Sequence, residues 1–268
     1  MKKLSFLVVL ASMVIASSAQ DTTTTRRDDK NSRKEARRQK VNALIKQAEE
    51  GVLVYSKQSI FGIQFRTNGY GLFYELGKMK TNRKTMIYRL DFNETRSQKE
   101  EKLPNNSFIF GNSYVYGKIN HFYPVTLGIG QQYILGQKGN KNGVVVSAIG
   151  EAGLALGLLR PYYVEASDGG TTRDIKYNSP DSMLFLDINR ISGGSGLAKG
   201  WNEMKVKPGG FAKAALRFDY GRFNEVVSGI EAGISMEAYG AKIPIMVFQK
   251  AKQFFFQGYI SLLFGKRK

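Results

Sequence analysis

From Gly51 to Lys268 the apolar residues recur at every second position, a period that only an extended chain can sort onto one face. In Phe223–Tyr239, one face carries Val226, Ser228, Ile230, Ala232, Ile234, Met236 and Ala238. The other face carries Glu225, Glu231 and Glu237, with Gly229, Gly233 and Ser235 between them. Phe211–Tyr220 repeats the pattern: Ala212, Ala214, Leu216, Phe218 and Tyr220 oppose Lys213, Arg217 and Asp219. Gly221-Arg222 joins the two segments as a hairpin-length turn.

Other segments agree. Met86, Tyr88, Leu90 and Phe92 alternate with Arg89, Asp91 and Asn93. Val144, Val146, Ala148, Ala152, Leu154 and Leu156 oppose Ser147, Glu151 and Gly153. Phe61, Ile63 and Phe65 oppose Gln64 and Arg66, and Asn68-Gly69 turns the chain into Tyr70–Met79, with Glu75 on its polar face. The expected strands are 59–67, 70–79, 84–94, 107–118, 122–135, 143–159, 183–191, 209–221, 223–239 and 251–264. Met183–Ile191 is the weakest of them, and eight strands remain if another weak segment also drops out. With all ten strands, Pro161–Ser182 becomes a long connection on the side that holds both chain ends.

Alternation fits a soluble barrel with its apolar face inside, or a membrane barrel with that face outside. Three features favour the membrane. Many segments exceed about nine residues, enough to cross a bilayer when tilted. The apolar faces are nearly free of charge along their central parts, and the polar faces mix both signs with Gly and Ser. The expectation is therefore an all-β chain, a closed antiparallel transmembrane β-barrel of about 8–10 strands. Glu75, Arg89, Asp91, Glu151, Lys213, Arg217, Asp219, Glu225, Glu231 and Glu237 are expected to form a lumen charge network, with Lys213, Arg217 and Asp219 paired across the hairpin with Glu225 and Glu231.

Phe254, Phe256, Ile260, Leu262 and Phe264 share a face against Phe255, Gln257, Tyr259 and Ser261. This resembles the closing strand of bacterial outer-membrane β-barrels, which ends in an aromatic residue. Here Gly265-Lys266-Arg267-Lys268 follows Phe264, a departure from that pattern. As a pattern the resemblance covers 51–268, and the whole chain looks most like the small outer-membrane barrels of Bacteroidota-type bacteria. It implies residence in the outer membrane and names no activity.

The segment before the alternation has another character. Residues 1–19, MKKLSFLVVLASMVIASSA, read as a signal peptide: Lys2-Lys3, an apolar stretch, then small residues before Gln20. Residues 20–50 hold a polar linker and a basic helix expected on the periplasmic side. Ser32 and Glu35 fit a capping box, and Gly51 sits where a helix stops. Val41, Leu44, Ile45 and Ala48 form its short apolar stripe, and Arg33, Arg37 and Lys40 share a face suited to anionic lipid heads or an acidic partner. The formal charge of +18 does not point to nucleic acid, because the basic residues are spread out and not interleaved with stacking aromatics.

Chemistry is sparse. There is no cysteine, so thiolate metal sites, thiol catalysis and disulfides are excluded. His121 is the sole histidine, read in a turn between strands with no acid partner at a telling spacing. Gly193–Gly200 is glycine-rich but lacks the P-loop spacing. No catalytic residue, metal site or cofactor is expected. The leading functional expectation is a non-enzymatic barrel serving as accessory or scaffold subunit of an envelope complex, in protein secretion or outer-membrane protein assembly. Its partners would be outer-membrane lipids and other envelope proteins. A narrow channel or small-ligand transporter is the first alternative, and a lipid-modifying enzyme using His121 the second.

Overall fold

The computed structural model describes residues 32–39, 41–42, 55–104, 113–139, 142–221 and 225–268. The chain divides into two units, Met1–Glu50 and Gly51–Lys268. In the first, residues 32–39 and 41–42 are helical and exposed, Arg33 and Arg37 among them. Lys40, the expected signal peptide, the linker and the second half of the expected helix lie outside the described residues. No helix among the described residues is long and apolar enough to cross a membrane.

The second unit begins with β1 (Lys57–Arg66), β2 (Gly69–Thr81), β3 (Lys84–Thr95), β4 (Lys102–Leu103), β5 (Tyr114–Val115), β6 (Asn120–Gly136) and β7 (Val145–Pro161). It continues with β8 (Tyr163–Asp168), β9 (Thr171–Lys176), β10 (Ile191–Gly194), β11 (Lys205–Asp219), β12 (Val226–Ile243) and β13 (Lys252–Arg267). Eight of these close into a barrel in the order β1-β13-β12-β11-β7-β6-β3-β2, antiparallel throughout. Two expected strands are not part of it. Within 107–118 only Tyr114–Val115 is extended, paired with Lys102–Leu103; residues 107–112 lie outside the described residues. Met183–Ile191 is also not a strand: Ser182–Phe185 form one helical turn that buries Phe185. Both are short apolar runs, the kind whose periodicity cannot separate a strand from a buried turn.

The smaller count resolves the topology. Three connections, 82–83, 137–144 and 220–225, lie at the end where the start of β1 meets the end of β13, with the Lys268 amide donating to the Lys57 carbonyl at 2.9 Å. The connections 67–68, 96–119, 162–204 and 244–251 all lie at the opposite end. The 161–182 stretch is therefore a correction: it belongs to the long-loop end, not to the end with the termini. β13 is a second correction. It runs on to Arg267, so Phe264 is not the last strand residue and the basic tail is part of the barrel wall.

The barrel is sorted inside out. Leu154 is 68% exposed and Phe256 71%, whereas Arg89 and Arg217 are 1% and 0% exposed. Along the middle of each strand the outward positions are apolar, as in Phe61-Ile63-Phe65 and Leu127-Ile129. Outward charges stand at the ends. Lys57, Lys78, Lys84 and Lys266 ring the short-turn end, where their long stems can lie along apolar wall with the ammonium in a polar layer.

Glycine sets how closely the wall can pack at Gly153 of β7, on the inner face. A Cβ there would sit 2.1 Å from the Leu127 carbonyl oxygen. Gly150, on the outer face of the same strand, has nothing within 4 Å. Gly153→Val is expected to lower the urea midpoint of the detergent-folded protein by an amount equivalent to about 1–3 kcal/mol, as overpacking does. Gly150→Val should leave it unchanged. Equal behaviour of the two variants would contradict the assigned faces.

Candidate functional site

Inside the wall, strand register first builds two neighbouring ion pairs. Glu75 of β2 stands opposite Arg89 of β3, and Arg217 of β11 stands opposite Glu231 of β12. In the ring, β2 lies four places from β11, and β3 four places from β12. The two pairs thus face each other across the bore and exchange partners. Arg217 donates to Glu75 at 2.8 and 2.5 Å, and Arg89 donates to Glu231 at 2.7 Å. Arg217 also holds its neighbour Glu231 at 2.7 Å. Eight strands leave a bore that side chains can fill, and these four meet in the middle of it.

The network spreads from this crossing. Arg89 contacts Asp91 at 3.2 Å and Glu151 at 3.4 Å, and Lys213 reaches Asp91 at 2.8 Å. Thr126 and Tyr259 donate hydroxyl bonds to Asp91 and Glu231, at 2.8 and 3.1 Å. Towards the short-turn end, Gln58 bridges Glu75 and Gln132, and Arg267 pairs with Asp219 at 2.5 Å. Towards the long-loop end, Arg66 pairs with Glu237, which also accepts from Tyr239 and Gln257.

Of the expected network, Glu75, Arg89, Asp91, Glu151, Lys213, Arg217, Asp219, Glu231 and Glu237 are buried in the lumen. Glu225 is the exception: it precedes β12 at the short-turn end, half-buried, and its carbonyl accepts the Arg267 amide. Of the expected hairpin pairs only Arg217–Glu231 forms; Lys213 and Asp219 find partners on other strands. Arg66, Arg267, Gln58 and Tyr259 are network members absent from the expected set. Arg267 was hidden by its place in an apparent tail, although its even spacing from Phe255 through Ser261 is the signal that places it inside.

Apolar layers close the lumen on both sides. Phe122, Ala155, Leu159, Phe211, Tyr239, Ile243 and Phe255 form a core at the long-loop end. Tyr55, Ile134 and Val145 form another near the termini. The arrangement fills the bore with paired charge between these two apolar layers.

Above the long-loop end, residues 161–204 fold into a cap. β8 pairs with β9 and β10 in a three-stranded sheet. Val164, Ala166, Ile175, Phe185 and Ile191 form its core together with Tyr114 of β5. The cap is stitched to its surroundings by Tyr162, whose hydroxyl accepts the Val115 amide, and by Tyr116, whose hydroxyl donates to the Leu186 carbonyl. On its exposed side Lys199 holds the Asp174 carboxyl below its ordinary range by a 2.7 Å contact. Beneath it, burial lowers the Lys118 ammonium from its ordinary value, even with Glu100 at 2.9 Å. The glycine-rich stretch is part of this unit: Ile191–Gly194 is β10, and Gly200 takes a left-handed φ of 85° that a side chain would strain.

Trp201, at the cap's edge, stacks on Tyr123 at 6.1 Å, and Tyr123 on Phe92 at 6.0 Å. The Arg160 guanidinium lies 4.8 Å from the indole. This outward aromatic row holds His121, which is a correction to its expected place in a turn: it lies in β6, opposite Arg160. Its ring stacks on Tyr123, and its Nδ1 stands 3.9 Å from Glu94, beyond hydrogen-bond length. Tyr162 meets the ring edge-on at 5.3 Å, so the imidazole is packed between two tyrosines.

No protein-family model matches the sequence, and no curated protein does so at a significant level. The fold is similar to that of Ail, the attachment invasion locus protein of Yersinia pestis, in complex with the heparin analogue sucrose octasulfate; identity is 14% and the TM-score 0.40, over 80% of this chain and 100% of that one. It is also similar to the N-terminal β-barrel domain of Pseudomonas aeruginosa OprF, at 9% identity and TM-score 0.35 over 79% and 98% of the two chains. Neisserial surface protein A matches at 11% identity and TM-score 0.36, over 79% and 96%. The likeness is one of general architecture.

Glu231→Leu leaves Arg89 and Arg217 short of a buried partner and should destabilise the barrel by about 3–5 kcal/mol in urea unfolding. Ser228→Leu, on the outer face of the same strand, should cost little. A loss at Ser228 equal to that at Glu231 would contradict the crossing.

Proposed function

We propose that the chain is a non-enzymatic outer-membrane β-barrel that anchors a partner-binding platform, as accessory or scaffold subunit of an envelope complex in protein secretion or outer-membrane protein assembly. The observation that carries this reading is the pairing of a lumen filled by ion pairs with a separately cored cap. A water-soluble barrel hides its apolar face; here that face is outside and the ions are inside, which suits a hydrocarbon surround. By the usual asymmetry of short periplasmic turns and long outer loops, the cap faces outward and the start of β1 and end of β13 face the periplasm. The basic residues Arg33, Arg37 and Lys40 precede the barrel in sequence, and they suit anionic lipid heads or an acidic partner.

The bridged arginines in the middle of the bore support scaffolding over a narrow channel, since they occupy the space that a transport path would need. The aromatic packing of His121 supports a non-enzymatic role over lipid modification.

Blue-native electrophoresis of outer membranes solubilised in mild detergent tests the proposal. The native protein should migrate in an assembly heavier than the monomer. Changing Arg33, Arg37 and Lys40 together to Glu should release the partner while leaving the barrel inserted, and raised salt should weaken the wild-type contact. Migration as a monomer, together with steady single-channel conductance in planar bilayers, would replace the scaffold by a channel.

A further inference from the structure

The barrel wall is uneven at its long-loop rim. β1 ends at Arg66, opposite Tyr259, and the next contact on that side is the Thr67 amide with the Gly258 carbonyl. β13 continues to Lys252, and over residues 252–257 it pairs with β12 on one edge and with no strand on the other. The low β1–β2 turn therefore leaves a notch between the high end of β13 and residues 95–99 after β3. A cleft of about 210 Å³ occupies it.

The lining of this cleft is one-sided in charge. Arg96, Lys99, Lys250 and Lys252 contribute to it, and no carboxylate does. Arg96 is shared with Glu94 at 3.2 Å, but the ammonium groups of Lys99, Lys250 and Lys252 make no ion pair among the described residues. Two polar atoms at the floor lack hydrogen-bond partners: Thr95 Oγ1, on a residue 3% exposed, and Asn68 Oδ1. Phe254 and Phe256 line the same cleft and continue onto the outer, apolar face of β13.

We propose that this rim notch binds the phosphorylated headgroup of a membrane lipid, with the phosphate against Lys99, Lys250 and Lys252 and the acyl chains along Phe254 and Phe256. The volume suits a headgroup whose chains remain outside, being below the roughly 300–1,000 Å³ that encloses a whole small ligand. Thr95 can donate to a phosphate oxygen, and Asn68 can accept from a headgroup hydroxyl. The cation cluster supplies charge-assisted hydrogen bonds, the stronger kind, at the border of the apolar wall. The inference rests on the membrane reading above and adds a ligand to it.

Isothermal titration of the full chain in a neutral maltoside detergent, with dioctanoyl phosphatidic acid as the probe, tests it. Dioctanoyl phosphatidylcholine and inorganic phosphate serve as comparators, and gel mobility before and after heating reports separately that each variant is a folded barrel. Phosphatidic acid should bind at least tenfold more tightly than either comparator. The triple variant Lys99→Gln, Lys250→Gln, Lys252→Gln should lose at least tenfold, and Phe256→Ser should weaken the lipid. A matching triple change of Lys57, Lys78 and Lys266 to Gln, at the opposite rim, should leave binding intact. Unchanged affinity in the notch variant, or an equal loss from the opposite rim, overturns the site. Inorganic phosphate binding as tightly as the lipid would overturn the lipid assignment in favour of free phosphate. A barrel that fails to fold in detergent at all would instead count against the membrane reading.

Discussion

Everything in the lumen depends on two arginines whose partners lie on both walls. Arg89 and Arg217 each hold a carboxylate on the adjacent strand and another across the bore. Removing ions of this kind from water costs several kcal/mol each, and the cost is offset only where every charge has good partners. Here the partners come from opposite strands, so the network is satisfied only when the ring is closed. A slip of one residue in any of β2, β3, β11 or β12 would turn a member of the crossing toward the apolar outside. The same interaction that fills the bore therefore fixes strand number, register and which face is out.

Closure of the lumen by ion pairs moves function to the ends of the barrel. Among the described residues the short-turn end carries a lysine ring, the Arg267–Asp219 pair and a small apolar core. The other end carries a sheet with its own core, an aromatic row that includes Trp201, and a notch in the wall lined with unpaired lysines. The long-loop rim exposes apolar residues such as Met183 and Leu197 beside lysines that make no ion pair among the described residues.

Much of this was legible from alternation alone, because a strand in a wall has two unlike surroundings and records them residue by residue. The faces of Phe211–Tyr220, of 226–239 and of Phe254–Phe264 agree with the structure, and nine of the ten expected lumen charges are inside. What alternation does not contain is long-range placement. That Arg217 meets Glu75 follows from the ring order and the stagger of strands, which no local pattern records. The segments 107–118 and 183–191 were misjudged for a different reason: in the cap, short apolar runs are buried by Tyr114 and Phe185 in a small mixed core, where the two-residue period has no wall to serve. Arg267 was missed because three basic residues at a chain end look like a solvated tail, although β13 needs them to complete its pairing with Gln58 and Ser59.

The central claim is that this barrel carries its ions inside and its apolar face in lipid. The chain has no cysteine, so single cysteines can be placed at each position from 226 to 238 of β12 and labelled with a polarity-sensitive fluorophore in vesicles. Quenching by brominated lipid should alternate with a period of two, strong at the even positions through Ile230, Ile234 and Met236, and weak at Glu231, Ser235 and Glu237. Strong quenching at the odd positions, or none at any position, would contradict the account.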